Sequence, residues 1–362
     1  MNILFISRAT LYKDKGGDTV QLLNTAAYLE KLGIKISIRL CNEKIDYAPF
    51  DLIHFFNIIR PADILVHAER SRRPYVISTI YVDYSEYEKK NRGGLAGLAF
   101  RLFSPDLIEY AKVIARLVVN GEKINSLSYL ALGQKAAIRK LIRNSAMLLP
   151  NSHSEYARLK KNYTTGHPYK VIPNAIDPSL FKRTPADAPR NDHLIICVGR
   201  IEGRKNQLNL IRALNGTKYE LAIIGSPSAN QTAYYQACRK VAGPNISFIS
   251  NIPQETLIGY YSKAKVHVLP SWFETTGLSS LEAAAMGCNI VVTDKGDTRE
   301  YFENYAYYCD PASPESIFSA VEAAAAADFN PALREKIFTQ YTWSETAKKT
   351  LEAYREISSK NN

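Results

Sequence analysis

Short continuous apolar runs alternate with stretches of helical spacing along most of the chain. In the first half the runs are NILFIS (2–7), KISIRL (35–40), DLIHFF (51–56), YVISTI (75–80) and MLLPNS (147–152), with a helix expected over TVQLLNTAAYLEKL (19–32). The alternation restarts at HLIICVGR (193–200) and continues through YELAIIGS (219–226), ISFIS (246–250), VHVLPS (266–271) and NIVVTD (289–294). Helices are expected after Lys205, near 234–242, at 254–263, after Gly277 and from about Pro314. Apolar runs of this length suit strands buried on both faces, and their alternation with helices predicts parallel sheets covered on both sides. Between the halves, PNAIDPSLFKRTPADAPR (173–190) is proline-rich and aperiodic, so it reads as a linker. The expected architecture is α/β: two Rossmann-like, doubly wound parallel-sheet domains facing a cleft. One would comprise residues 1–180 plus 344–362, the other 190–343. The last helix, roughly 344–358, would cross back onto the first domain, capped by Ser344 and anchored by Trp343.

Composition narrows the compartment more than the fold. No apolar run approaches the ~20 residues of a membrane helix, and the N-terminus reads as a first strand, not a signal peptide. The five cysteines (Cys41, Cys197, Cys238, Cys288 and Cys309) are scattered without metal-ligand spacing, which suits a reducing cytoplasm. Charge is uneven. Residues 1–185 carry 28 Lys and Arg against 16 Asp and Glu, while residues 186–362 carry 18 against 19. An excess confined to one half points to an anionic partner there. Nucleic acid fits poorly, because the basic residues are not interleaved with aromatics on a recognisable module. Residues 84–143 hold eleven Lys and Arg against five Asp and Glu, mixed with Leu95, Leu98, Phe100, Leu102 and Phe103. This stretch could rest on an anionic membrane surface, or fold as a lid with solvated lysines. The first reading places the protein on the inner face of the cytoplasmic membrane.

The segment SWFETTGLSSLEAAAMG (271–287) follows an apolar strand and reads as a loop and then a helix. Gly277 stands where backbone could approach a ligand. A helix N-terminus after a parallel strand favours phosphate, and the flanking Glu274 and Glu282 suit hydroxyls, so the pair suggests a nucleotide sugar. Upstream, VGRIEGRKNQ turns at Gly199 and places Arg200, Arg204 and Lys205 at a strand exit. These cations could clamp a diphosphate, or form an ordinary solvated loop. Near the N-terminus, KDKGGDT sets Gly16 and Gly17 before the first helix, without dinucleotide-binding spacing, as a cleft-lining loop or a plain turn.

Together VGR–x4–K, the Glu–x7–Glu segment and NIVVTDKGDTREY resemble the donor half of retaining glycosyltransferases of family 4, with the GT-B fold. The glycine pair, PNAID (173–177) and the Trp343 tail fit the same family across essentially the whole chain. The resemblance implies that Glu274 bonds donor-sugar hydroxyls and Glu282 holds the ribose. It implies that Arg200 and Lys205 neutralise the diphosphate, helped by Gly199, Arg204, Thr276 and the amides of Gly277 and Leu278. The implied donor, bound by the domain of residues 190–343, is a UDP- or GDP-sugar, and the implied acceptor, bound by the domain of residues 1–180 plus 344–362, is a glycan or lipid-linked glycan. No metal or other cofactor is required where cations neutralise the leaving group, and a cell-surface polysaccharide or lipopolysaccharide role is implied.

One departure stands out. The family usually has a histidine after an N-domain strand, where YVISTIYVDY places Tyr81, with Asp83 two residues on. A neutral tyrosine cannot act as a base near pH 7, though it can position a hydroxyl. His54 and His153 lie at other strand ends and could line the cleft, with a structural role the plainer reading of each. His67, His167, His193 and His267 show no site context. Two alternatives share the fold: a nucleotide-sugar epimerase and a catalytically idle nucleotide-sugar-binding scaffold.

Overall fold

The computed structural model describes residues 1–14, 16–91, 106–108, 110–111, 126–181, 190–228, 230–250 and 252–360. The chain divides into two compact units, Met1–Asn174 with Trp343–Asn362, and Ala175–Thr342. The first holds β1 (Asn2–Ser7), α1 (Gly17–Lys31), β2 (Lys35–Leu40), β3 (Leu52–Phe56), α2 (Pro61–Ser71), β4 (Tyr75–Ser78), α3 (Ser85–Asn91), α4 (Leu127–Asn144), β5 (Met147–Leu149) and α5 (His153–Tyr163). Its strands run parallel in the order β2-β1-β3-β4-β5. The second holds β6 (Asn191–Val198), a 3-10 turn (Gly203–Lys205), α6 (Gln207–Leu214), β7 (Glu220–Ile224), α7 (Thr232–Val241), β8 (Ile246–Ile249), α8 (Gln254–Lys263), β9 (Ala264–Leu269), α9 (Leu278–Ala285) and β10 (Asn289–Thr293). It continues with α10 (Thr298–Phe302), β11 (Ala306–Cys309), α11 (Pro314–Ala326) and α12 (Pro331–Gln340). Its parallel order is β11-β10-β9-β6-β7-β8. A final helix, α13 (Trp343–Lys360), packs along α1 in the first unit.

Two parallel-sheet α/β units are what the alternation of apolar runs predicts, and period-two burial explains why. In β1, Ile3 and Phe5 enter the apolar layer shared with α1 and α13, while Leu4 and Ile6 enter the layer under α2, α4 and α5. β3 divides in the same way, Leu52 and Phe56 against Ile53 and Phe55. Both faces must be apolar because helices cover both.

The element α13 presents Ala347, Leu351, Tyr354 and Ile357, one stripe at helical spacing, to the first of these layers. It begins at Trp343, which is buried, so Ser344 lies inside the helix and is not its cap. β11 is absent from the sequence expectation, because AYYC is short and its first three residues are only half-buried. Of the basic stretch 84–143, the residues Leu95, Leu98, Phe100, Leu102 and Phe103 lie outside the described residues. Among the described residues, no helix is long and apolar enough to cross a membrane.

His54 takes the structural one of its two expected roles, and its candidacy for the cleft is corrected. It does not line a ligand site: it is 1% exposed on β3, stacked on Phe56 at 4.2 Å between ring centroids. Its Nδ1 lies 2.6 Å from the Tyr354 hydroxyl of α13 and its Nε2 lies 2.8 Å from Ser78 Oγ of β4. Burial drives its pKa down to about 3, so the ring is neutral and serves as a polar tie between sheet and terminal helix. Tyr354→Phe is expected to destabilise the protein by about 1–3 kcal/mol, since it strands a buried ring nitrogen. Urea unfolding checks this, and a shift below about 0.5 kcal/mol, the range of ordinary surface changes, would show the tie to be idle.

Candidate active site

The ligand-facing edge of a parallel sheet is where its strands end, and in the second unit those ends are fixed by glycine. After β6, Gly199 takes φ +153°, and after β7 Gly225 takes φ +148°. A Cβ at Gly225 would lie 2.0 Å from the Gly199 carbonyl oxygen, so no other residue fits that crossing. The next turn carries Arg200, Glu202, Arg204 and Lys205. Asn206, at φ +63°, closes it by donating through Nδ2 to the carbonyls of Pro270 (3.0 Å) and Pro311 (2.7 Å).

The loop after β9 is held from both sides. Trp272 N–H donates to the Arg204 carbonyl at 2.9 Å, Glu274 N–H to the Lys295 carbonyl at 3.2 Å, and Asp297 N–H to the Glu274 carbonyl at 2.8 Å. Gly296, at φ +93°, allows this contact, because a Cβ there would meet the Glu274 carbonyl oxygen at 2.0 Å. The result is a carboxylate 7% exposed, whose Oε1 receives the Lys205 ammonium. These two residues, 69 apart in sequence, form a direct ion pair.

Gly277, at φ +71°, opens α9 without a side-chain cap. The first amides of a helix have no intrahelical partner, so this end presents donors and the positive end of the dipole. Ser279 Oγ donates to the Val198 carbonyl at 2.9 Å, tying the helix start to the end of β6. Thr276 is buried beside it and Leu278 is half-buried. One turn in, Glu282 Oε2 accepts from the Tyr261 hydroxyl at 2.9 Å. Enclosure of the Glu282 carboxyl raises its pKa to about 7, with the tyrosine bond opposing the rise. Behind it, His267 is buried and kept neutral, its pKa lowered to about 3 by burial and by the Lys205 charge. Gly199, Arg200, Arg204, Lys205, Glu274, Thr276, Gly277, Leu278 and Glu282 therefore gather at the strand ends of one unit.

The residues expected at the first unit's strand ends fare differently. Gly16 precedes α1 in extended backbone and Gly17 begins it. Tyr81 is corrected: it is packed edge-on against Tyr163 at 5.8 Å, and its oxygen accepts from Asn162 Nδ2 at 2.6 Å. Burial raises its phenol pKa, so it is a core residue and no base. Asp83 accepts from Ser85 N–H at 2.9 Å, the start of α3. His153 is exposed at the start of α5, with Nδ1 3.2 Å from the Tyr169 hydroxyl. His54 stays in the core.

Residues 180–337 match the model of the family described as glycosyl transferases group 1. That segment belongs to the glycosyl transferases group 1. Among relatives, the chain is 25% identical over 313 residues to the N-acetylgalactosamine-N,N'-diacetylbacillosaminyl-diphospho-undecaprenol 4-alpha-N-acetylgalactosaminyltransferase of Campylobacter jejuni, covering 81% of this chain and 82% of that protein. Among solved structures it resembles sucrose-phosphate synthase from Thermosynechococcus elongatus, with a TM-score of 0.73, 16% identity and 99% of both chains covered. It also resembles Anabaena HepE in complex with UDP and glucose, with a TM-score of 0.69, 15% identity, and 98% of this chain and 100% of that chain covered. The fold is thus the GT-B fold of these glycosyltransferases.

Within this group 1 segment, sequence reading missed Glu202. It is 5% exposed, accepts from Ser228 Oγ at 3.1 Å, and lies 3.6 Å from Arg200 Nη2 and 4.0 Å from Arg204 Nη2. Its sign, a lone acid inside a basic turn, was present in VGRIEGRK. Arg8 of the first unit was also missed. Its guanidinium meets Asp18 Oδ2 at 2.7 Å, Thr10 Oγ1 at 2.7 Å and the Asp14 carbonyl at 2.6 Å, fastening the loop before α1.

The Glu282 environment has a pH consequence. Its folded pKa lies above the ordinary carboxyl value, so its contribution favours folding at low pH and is lost as pH rises through about 7. Glu282→Gln is expected to remove that loss and to gain on the order of 1–3 kcal/mol over wild type at pH 8, with little difference at pH 4.5. Denaturant unfolding at the two pH values measures it, and a pH-independent difference would contradict the enclosure.

Proposed function

We propose that the protein transfers a sugar from a UDP- or GDP-sugar to a glycan or lipid-linked glycan, with retention of anomeric configuration. The observation that carries this reading is the enclosed Lys205–Glu274 pair beside the uncapped start of α9. Departure of a nucleoside diphosphate develops negative charge. Lys205, the half-exposed Arg200 and the amides around Gly277 and Leu278 offer preorganised positive charge where it would form. Glu274, held by two backbone hydrogen bonds to Lys295 and Asp297, would accept from donor-sugar hydroxyls, and Glu282 from the ribose. In the proposed step the bond from the anomeric carbon to the diphosphate oxygen breaks. The acceptor oxygen bonds the same face of that carbon, and its proton passes to a diphosphate oxygen. Because protein cations supply the charge, the proposal requires no metal.

A lipid-linked acceptor is supported by the diphospho-undecaprenol named in the Campylobacter relative. It also fits the basic excess of residues 84–143, of which Lys135, Arg139, Lys140 and Arg143 lie on α4. On this reading the protein works at the cytoplasmic face of a membrane, in assembly of a cell-surface polysaccharide or lipopolysaccharide. Flotation with anionic and neutral liposomes at low salt tests the membrane part: binding to anionic vesicles alone is expected, and binding to neither would favour a soluble acceptor.

The donor is found by thermal shift with UDP-, GDP- and ADP-sugars, a true donor raising the melting temperature by mass action. With that donor, Glu274→Ala and Lys205→Ala are each expected to lose on the order of 10²–10³ in turnover. Undiminished turnover in chelator is expected as well. Near-wild-type transfer by either variant would refute the donor-site assignment, and inverted product stereochemistry would refute retention.

A further inference from the structure

At the strand ends of the first unit lies a buried carboxylate that the donor chemistry does not use. Glu155 is fully buried, although it stands in the first turn of α5 at the third helical position after the cap Ser152. An acid three residues after a capping serine ordinarily folds back to its own helix end. Here Ser152 Oγ does accept from Glu155 N–H at 2.9 Å, but the carboxylate reaches further. Oε2 accepts from Asn151 N–H at 2.9 Å, one residue before the cap. Oε1 leaves the helix for the loop after β4, where it accepts from Tyr81 N–H at 2.8 Å and from the Thr79 hydroxyl.

Between those two donors sits Ile80 at φ +43°, a left-handed conformation that a β-branched residue avoids. Such backbone persists only where its surroundings over-determine it, and it gathers at ligand sites. The surroundings here are explicit. Ile80 packs on the layer shared with α1 and α13, Tyr81 on the opposite layer, and Glu155 holds the peptides between. The network extends to the second turn of α1, since Asn151 Oδ1 accepts from Gln21 Nε2 at 2.8 Å.

We propose that Glu155 is a positioning residue for the acceptor, fixing the exits of β4 and β5 and the first turns of α1 as one rigid platform through its bonds to Thr79, Tyr81 and Asn151. This rests on the glycosyl-transfer reading, and takes the first unit, whose basic excess that reading links to a lipid-linked acceptor, as the unit that receives the acceptor at its strand ends. A neutral amide in place of the carboxylate cannot accept at both ends, so the loop that Oε1 or Oε2 holds must come loose.

Glu155→Gln, with Thr79→Val as a milder companion that keeps both backbone bonds, is compared with wild type in three measurements. These are amide hydrogen exchange at residues 79–81 and 151, hydrolysis of the donor sugar without acceptor, and transfer to a panel of octyl hexosides. Faster exchange at Tyr81 and Asn151 is expected for Glu155→Gln. Donor hydrolysis should stay within about twofold of wild type while the acceptor KM rises on the order of tenfold or more, with Thr79→Val intermediate. An unaltered acceptor KM in both variants, with the wild type active, overturns the proposal alone. So does a parallel fall of hydrolysis and transfer, which marks a general loss of structure. A wild-type chain that neither hydrolyses nor transfers with any donor overturns the glycosyl-transfer reading and the acceptor role with it, whatever the exchange rates show.

Discussion

A carboxylate and an ammonium can be held together out of water only if the backbone carrying them has nowhere else to go. Desolvating the pair costs several kcal/mol per ion unless geometry and extra hydrogen bonds offset it. In the second unit that geometry comes from two backbone crossings without room for a Cβ, Gly225 over Gly199 and Gly296 over Glu274, each closing to 2.0 Å if a side chain were added. The first fixes the turn that ends in Lys205. The second lets the loop of Glu274 bond on one side to the β6 exit and on the other to the β10 exit. Ordering entropy is thus spent by the fold before any ligand arrives, which is what preorganised electrostatics requires.

The pair also limits what the site can do. The ion pair sets an ammonium donor and a carboxylate acceptor side by side. A ligand with a diphosphate next to a polyhydroxy ring answers both, whereas a simple phosphate would leave Glu274 facing like charge. The same logic separates Glu274 from Glu282. Both belong to the Glu–x7–Glu spacing, yet Glu274 faces a cation and Glu282 faces a tyrosine hydroxyl in an enclosure that raises its pKa to about 7. One spacing in sequence yields two carboxyls of different character because one neighbour, Lys205, comes from the turn after β6 and the other, Tyr261, from helix α8.

The parallel sheets were legible from local pattern, and the gathering of Arg200, Lys205, Glu274 and Gly277 followed because a parallel sheet brings the ends of β6 and β9 to one edge. Strand periodicity sets burial, and a glycine before a small-residue helix sets its start. What was not legible depended on partners distant in sequence. Nothing near Glu155 in PNSHSEY announces Thr79 and Tyr81, which precede it by more than seventy residues. Tyr81 was misplaced, and His54 left with two readings, for a further reason: a polar residue at a strand end reads the same whether it faces ligand or a covering helix.

Parity resolves that ambiguity in retrospect. In β4, Tyr75 and Ile77 enter the layer under α4 and α5, Val76 enters the layer under α13, and the alternation continues past the strand: Ile80 goes with Val76 and Tyr81 with Tyr75. His54 has the parity of Leu52 and Phe56, so it too is directed sideways, toward α13. A side chain that keeps the strand's alternation is delivered into a helix layer, while a group meant for a ligand must break it and point along the strand. Gly199, Gly277 and Gly296 break it through positive φ, and the functional side chains of the second unit follow directly after such breaks or beside them. In the first unit positive φ falls at Ile80, whose side chain still keeps the strand's alternation, and lacking a glycine's freedom it is held by the Glu155 carboxylate bonded on either side of it.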